Sequence, residues 1–182
     1  MTMKNAPAHS PTSTAAAAAP MLDAYERVLS STPFVVRRRV RWSDCDPAGV
    51  VFTGRFTDYV LSAVSLFMGT LAQGPYAAWT QAMGVLTPCR GLAMDFRGAL
   101  WPDDEFSVGV AVVALRESSF DLQLLAAHDD RGPIFESRFS PICIPASGER
   151  RRVPIPAALR QALQAHLRSD QEQAPFSQRT SE

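Results

Sequence analysis

The sequence has few of the side chains on which metal, disulfide and redox chemistry depend. Its 182 residues include only three cysteines and three histidines. Cys45, Cys89 and Cys143 are far apart and odd in number, and no Cys-x-x-Cys pair occurs, which argues against a disulfide framework and a zinc site. The histidines show no metal-ligand spacing with carboxylates. We therefore expect no metal and no cofactor, and a reducing cytoplasm is the simplest compartment.

Net charge and long apolar runs are also lacking. Lysine plus arginine and aspartate plus glutamate each number 18, so no overall field favours nucleic acid or an anionic membrane as a partner. No apolar run approaches the roughly 18–20 residues of a membrane helix. Nucleotide-binding glycine patterns and the Gly-x-Ser-x-Gly elbow of α/β-hydrolases are missing. What is present, 46% hydrophobic residues, suits one globular domain with a substantial core.

The two ends of the chain differ in composition from its middle. Residues 1–20 are rich in Ala, Pro, Ser and Thr, and the run Ala15–Ala19 is too short for the apolar region of a secretion signal. The last residues are polar. We predict disordered tails over 1–21 and 168–182, and one folded domain over 22–167.

Hydrophobic periodicity predicts an α+β domain. Alternation over 34–42 indicates a first strand, and helical spacing over 56–71 indicates a long helix, apolar on most sides and therefore buried. Short helices are predicted over 76–83 and 154–166. Period-two alternation predicts a meander of four long strands, over 92–96, 106–112, 120–126 and 134–144. The sheet must then wrap around the buried helix.

The connection between the first strand and the long helix carries the strongest chemical signal. It reads Asp44-Cys45-Asp46-Pro47-Ala48-Gly49, so Asp46 stands just ahead of a helix N-terminus, where unpaired N–H groups and the helix dipole favour anions. A carboxylate beside such an end can attack a carbonyl, or activate water, while the helix end holds the oxyanion. Thr53 suits the donor role as a possible N-cap. The alternative is that Asp46 only caps the turn or the helix.

The neighbours of Asp46 have plainer interpretations. Asp44 either raises the pKa of Asp46 by like-charge repulsion or is a solvated carboxylate at the strand end, and the second interpretation is favoured. Cys45 has no histidine partner nearby and is interpreted as a small core residue. Four aromatic residues could line an acyl pocket, although residues at these spacings more often belong to the core: Trp42, Phe52, Phe56 and Tyr59.

The Asp-Cys-Asp-Pro-Ala-Gly motif in its strand–turn–helix context resembles the hotdog-fold thioesterases, most closely the 4-hydroxybenzoyl-CoA thioesterase group, over about 34–163. The resemblance implies an antiparallel sheet wrapped around a long buried helix. It also implies that Asp46 is catalytic and that the backbone N–H of Thr53 polarises the thioester carbonyl. Several relatives carry His or an aromatic residue at the position of Thr53, so a helper side chain is missing here.

A coenzyme A ester carries phosphates, so basic residues are expected near the site. Arg116 is the predicted contact, with Ser118 and Ser119 as hydrogen-bonding neighbours, because this segment resembles the family's junction of a basic residue with Ser-Phe. The denser cluster Arg150–Arg152 is interpreted as a solvated flank. An ordinary exposed arginine is the alternative for Arg116.

The predicted function is therefore hydrolysis of an acyl-CoA thioester. We expect a homodimer or a homotetramer, and the resemblance implies that the acyl pocket lies between protomers. A hotdog hydratase or dehydratase is an alternative, but such relatives pair Asp with a nearby His, and none lies between the N-terminal tail and His128. A ligand-sensing regulator would need a DNA-binding module ahead of the first strand, where only about thirty residues stand. A non-catalytic acyl-CoA-binding protein is the third alternative.

Overall fold

The computed structural model describes residues 25–168, so the predicted tails lie outside it, apart from Arg168. The elements follow the α+β pattern that the sequence predicts. None of the helices in these residues has the length and apolar character that crossing a membrane requires. In chain order they are β1 (Glu26–Ser31), β2 (Phe34–Arg39), α1 (Arg55–Ala72), α2 (Tyr76–Ala82), β3 (Val85–Leu86), β4 (Cys89–Phe96), β5 (Glu105–Leu115), β6 (Phe120–His128), β7 (Gly132–Pro141), β8 (Ile144–Pro145) and α3 (Ala157–Gln164).

The main sheet has six antiparallel strands in the order β1-β2-β5-β6-β7-β4. Strands β5, β6 and β7 form the predicted meander, but the prediction that β4 belongs to it was wrong. Strand β4 pairs with β7 instead of β5 and so occupies an edge. Strand β1 was not predicted, because most of its residues are exposed on the other edge and give no clear alternation of apolar and polar side chains.

Strand β2 is shorter than the periodicity predicts. The chain leaves the strand ladder at Val40, whose N–H and C=O pair with Asp104 and Asp103 in the turn before β5. It then forms one turn of 3-10 helix over Trp42–Asp44. This turn redirects the backbone toward the helix α1.

Helix α1 packs on one face of the sheet and forms the core with it. Its aromatic rings contact three strands. The ring centroid of Phe67 lies 5.3 Å from that of Phe34 in β2, and the ring centroid of Tyr59 lies 5.3 Å from that of Phe106 in β5. Near the helix start, Phe56 lies 5.8 Å from Phe135 of β7. Burying each large apolar side chain contributes about 1.5–3 kcal/mol. The buried helix residues follow the predicted spacing: Phe56, Tyr59, Val60, Ala63, Val64, Phe67 and Met68.

Edge strand β4 leaves apolar side chains uncovered. Leu92 is 40% exposed and Phe96 is 48% exposed, on the sheet face that carries the core. The ring of Phe96 lies 5.2 Å from that of Phe56 at the start of α1. An unpaired apolar edge of this kind favours pairing with another chain.

Candidate active site

The loop that carries Asp46 is closed by its own backbone. The N–H of Asp46 donates to the carbonyl of Val50 at 2.9 Å, and the N–H of Gly49 donates to the carbonyl of Asp46 at 2.9 Å. Gly49 has φ +79°, a left-handed conformation that favours glycine. Cys45 and Val51 face each other as an isolated antiparallel bridge. The loop therefore returns on itself and delivers the chain to the start of α1.

The carboxylate of Asp46 is half-buried and oriented. Its Oδ1 accepts the N–H of Ala48 at 2.8 Å, as in the turns that aspartate side chains stabilise. Within residues 25–168, its Oδ2 accepts no hydrogen bond. Asp46 thus does cap its turn, as the alternative interpretation holds, but it uses one oxygen for that purpose. The second oxygen is left for a substrate or a water molecule.

The sequence interpretation of Thr53 as a possible N-cap of α1 was wrong. Gly54 is the N-cap, and the helix begins at Arg55. The carbonyl of Phe52 accepts the N–H of Arg55 at 2.8 Å, so a turn over 52–55 leads into the helix. The N–H of Thr53 nevertheless has no hydrogen-bond partner in the described part of the chain. It is a free donor just ahead of an 18-residue helix, where the helix dipole favours an anion.

Asp44 is buried, and the prediction of a solvated carboxylate was wrong. The residue is 9% exposed. Its Oδ2 accepts the hydroxyl of Tyr59 at 2.9 Å and the N–H of Arg41 at 3.1 Å, and its Oδ1 lies 3.9 Å from Nε of Arg55. Burial raises the pKa of Tyr59, and the bond to Asp44 adds to the effect, so the hydroxyl stays protonated and donates. Asp44 is the last residue of the 3-10 turn, where its carboxylate reaches both donors.

Cys45 packs against the core, in agreement with its predicted role. Its Sγ lies 3.8 Å from the carbonyl of Arg41. Burial raises the pKa of the thiol, and the negative charge of Asp44 raises it further. A thiol that resists ionisation is a poor nucleophile.

The four candidate aromatic residues divide into two pairs. Phe56 and Tyr59 are core residues, whereas Trp42 and Phe52 are 74% and 56% exposed. The ring of Phe52 lies against Gly54, because a Cβ at that glycine would stand 2.7 Å from Cε1 of the ring. Glycine at the N-cap therefore makes room for an exposed aromatic ring beside the free N–H of Thr53.

The predicted substrate-binding residues lie in the β5–β6 hairpin. Arg116 is paired with the buried carboxylate of Asp121 at 2.9 Å and holds the pKa of Asp121 below its ordinary value. Ser119 is buried, and the carbonyl of Ser118 accepts the N–H of Cys143 at 2.8 Å. The Arg116 side chain is 49% exposed, so the ion pair leaves it only partly covered.

The hairpin and Asp46 lie at opposite ends of the sheet within one chain. The loop of Asp46 adjoins the beginning of β5, since Val51 bonds to Leu100 and Val40 to Asp104. Arg116 follows the end of β5, which spans roughly 35 Å at the usual rise of a strand. The structure brings the hairpin next to the segment that follows Arg150–Arg152, because the N–H of Ile155 donates to the carbonyl of Glu117 at 2.8 Å.

Two sizeable cavities are lined by neither Asp46 nor Thr53. One of about 510 Å³ lies beside the two-stranded sheet of β3 and β8 and includes Arg150. The other, of about 450 Å³, lies on the outer face of the main sheet and includes Val35 and Leu125. The described residues contain no group of three or more His, Cys, Asp or Glu side chains that would hold a metal ion.

Solved structures with the same fold include proteins described as thioesterases. A thioesterase superfamily protein from Jannaschia sp. CCS1 matches with TM-score 0.66 and 25% identity, over 76% of this chain and 95% of its own. A 1,4-dihydroxy-2-naphthoyl-CoA thioesterase from Synechocystis matches with TM-score 0.65 and 18% identity, over 71% and 94%. A 4-hydroxybenzoyl-CoA thioesterase mutant complexed with 4-hydroxybenzoyl-CoA matches with TM-score 0.64 and 18% identity, over 77% and 99%. The predicted hotdog fold is confirmed.

The family assignment rests on the sequence itself. Residues 40–163 match the model of the thioesterase-like superfamily, a span that contains the Asp46 loop, α1 and the β5–β6 hairpin. No protein of curated function matches the chain. The chain belongs to the thioesterase-like superfamily, and the family to which the motif pointed is confirmed.

Proposed function

We propose that the protein hydrolyses an acyl-CoA thioester, with Asp46 as nucleophile or general base and the N–H of Thr53 as oxyanion donor. One observation carries the proposal. The loop that holds a carboxylate with one free oxygen leads directly to an unpaired N–H at the start of α1. Membership of the thioesterase-like superfamily supports the same reaction class.

The chemistry needs only these two groups and water. In one route, Oδ2 of Asp46 attacks the thioester carbon, and the carbonyl oxygen becomes an oxyanion that the N–H of Thr53 stabilises. The carbon–sulfur bond then breaks, coenzyme A leaves as a thiolate, and water hydrolyses the mixed anhydride to regenerate the carboxylate. In the other route, Asp46 takes a proton from a water molecule that attacks the same carbon. Both routes yield a free acid and coenzyme A.

The coenzyme A moiety would bind at the other end of the sheet. Arg116, Ser118 and Ser119 are the proposed contacts, and Arg150 stands beside the neighbouring cavity of about 510 Å³. Guanidinium groups recognise phosphates through paired N–H donors. Because Arg116 already pairs with Asp121 through one guanidinium nitrogen, Nη2, only its remaining N–H donors are available for a phosphate.

The separation of the two ends supports a site shared between two copies of the chain. Strand β4 has an unpaired edge with exposed apolar residues. If two β4 strands pair antiparallel about a two-fold axis, the beginning of β4 in one copy meets its end in the other. Segment 90–96 of a second copy would then lie near Asp46, and the basic end of that copy would approach the same site. We therefore propose that the protein is a homodimer or a homotetramer.

The test is turnover of a panel of coenzyme A esters that carry aromatic, branched and straight acyl groups. Thiol release measures hydrolysis, and loss of the conjugated double bond of an enoyl ester measures hydration. We expect thiol release that depends on Asp46. Loss of the double bond without thiol release would identify a hydratase, and binding of esters without either change would identify a non-catalytic binder.

A further inference from the structure

The buried carboxylate of Asp44 joins three parts of the chain. Its Oδ2 accepts the N–H of Arg41, on the chain that enters the site, and the hydroxyl of Tyr59, on the second turn of α1. Its backbone carbonyl accepts the N–H of Phe52 at 2.9 Å, on the chain that leaves the loop. The incoming segment, the outgoing segment and the helix are thus tied to one residue.

This arrangement encloses both groups of the proposed reaction. Asp46 stands two residues after Asp44, and Thr53 directly follows Phe52. We propose that Asp44 and Tyr59 are positioning residues, which fix the carboxylate of Asp46 relative to the N–H of Thr53. The proposal rests on the thioester hydrolysis proposed above and adds two residues that do not touch the substrate.

Tyr59 anchors the arrangement to the core. It is 1% exposed, and its ring packs against Phe106 and Phe56. The guanidinium of Arg38 lies over the ring, 4.5 Å from its centroid. A ring held on several sides places its hydroxyl firmly. The hydroxyl in turn binds the carboxylate of Asp44, and the backbone carbonyl of Asp44 closes the loop by accepting the N–H of Phe52.

Replacement of Tyr59 by phenylalanine separates positioning from folding. Tyr59→Phe removes only a hydroxyl and keeps the packed ring, whereas Asp44→Ala would leave several donors unpaired and endanger the fold. The matched control is Tyr76→Phe in α2. The Tyr76 hydroxyl is also bonded to a side-chain oxygen, that of Thr87 at 2.9 Å, and burial raises the pKa of Tyr76 to about 12.

Steady-state kinetics with a turned-over coenzyme A ester is the first measurement. Tyr59→Phe should lower kcat by about 10- to 100-fold, the range that a small misplacement of reacting groups produces. KM should change little, because the proposed coenzyme A contacts belong to the β5–β6 hairpin and not to the Asp46 loop. Tyr76→Phe should keep both constants. The proposal would be overturned if Tyr59→Phe keeps the wild-type kcat, or if its loss of kcat/KM comes entirely from a higher KM.

Amide hydrogen exchange is the second measurement and does not depend on activity. In Tyr59→Phe the N–H groups of Phe52 and Asp46 should exchange about 10-fold faster or more, since a hydrogen bond to a charged group is lost beside them. Tyr76→Phe should leave these rates unchanged. Unchanged rates in Tyr59→Phe would refute the positioning role. A wild-type protein that hydrolyses no ester would refute the proposed function, and the exchange rates would still show whether Tyr59 holds the loop.

Discussion

Asp46→Asn removes the proposed catalytic charge and leaves the loop intact. The asparagine side chain keeps an oxygen where Oδ1 accepts the N–H of Ala48 at 2.8 Å, and asparagine supports the same turn as aspartate. The change costs only the attraction between a carboxylate and the helix N-terminus, about 0.3–1 kcal/mol. For a domain of this size, Tm should fall by less than about 4 °C.

The effect on turnover should be far larger than the effect on stability. A nucleophile or principal base contributes on the order of 10²–10⁴-fold to the rate. At about 1.4 kcal/mol per decade, that loss corresponds to roughly 3–5.5 kcal/mol of transition-state stabilisation. The amide that replaces the carboxylate is neither a strong nucleophile nor a base. The loss should therefore appear in kcat and in kcat/KM.

Thiol release under saturating ester and thermal unfolding together provide the assay. Asp58→Asn is the matched control, because Asp58 is an exposed carboxylate in the first turn of the same helix. It should keep wild-type turnover. Asp46→Ala should lose turnover as well, and also about 1 kcal/mol of stability with the Ala48 bond. If Asp46→Asn keeps more than about a tenth of wild-type turnover, the assigned role is wrong.

Three further predictions concern the donor, the arginine and the assembly. Thr53→Ala should lower turnover only slightly, because the proposed donor is the backbone N–H; a collapse in turnover at normal Tm would show that the hydroxyl is chemical. Arg116→Ala should destabilise the fold by about 1.5–3 kcal/mol at pH 7, because the buried carboxylate of Asp121 loses its ion pair with Arg116. Arg116 lowers the Asp121 pKa, so this contribution is complete above about pH 4 and shrinks below it, which unfolding at several pH values checks; a pH-independent difference would contradict the linkage. Light scattering at low micromolar concentration should show a dimer or tetramer, and an active monomer would refute the shared site. Mixing Asp46→Asn subunits with subunits disabled in segment 90–96 should restore activity, whereas strictly additive loss would exclude sharing.

The sequence predicts those elements of the fold whose local pattern coincides with their packing. Helix α1 and strands β5, β6 and β7 each bury one periodic face, so their periodicity is visible in the chain. The position of β4 is not local information. Its apolar alternation is real, but whether it pairs with β5 or β7 depends on how the connection over 97–104 crosses the sheet. Edge strand β1 buries little in one chain, so its sequence carries little pattern.

The same distinction between local and long-range information applies to the site. Asp46 and Thr53 lie within eight consecutive residues, and their relation follows from a strand, a turn and a helix in order. The contact of Asp44 with Tyr59 spans 15 residues and depends on where β2 ends. Alternation alone puts Asp44 on the same face as Phe34 and Val36, but it supplies no partner for a buried carboxylate. The chain leaves the strand ladder at Val40, and the 3-10 turn over Trp42–Asp44 brings the carboxylate to the hydroxyl of Tyr59.

One signal for that contact is nevertheless present in the sequence. Tyr59 falls on the buried stripe of a helix whose other buried residues are Phe, Val, Ala and Met, and a buried tyrosine hydroxyl needs a hydrogen-bond partner. The nearest acceptors along the chain that precede the helix are the two carboxylates of the motif. Asp46 caps its own turn with one oxygen, so Asp44 is the carboxylate free to turn inward. A tyrosine where packing alone would accept phenylalanine therefore indicates that the loop is fastened from the helix side, which is the property that Tyr59→Phe tests.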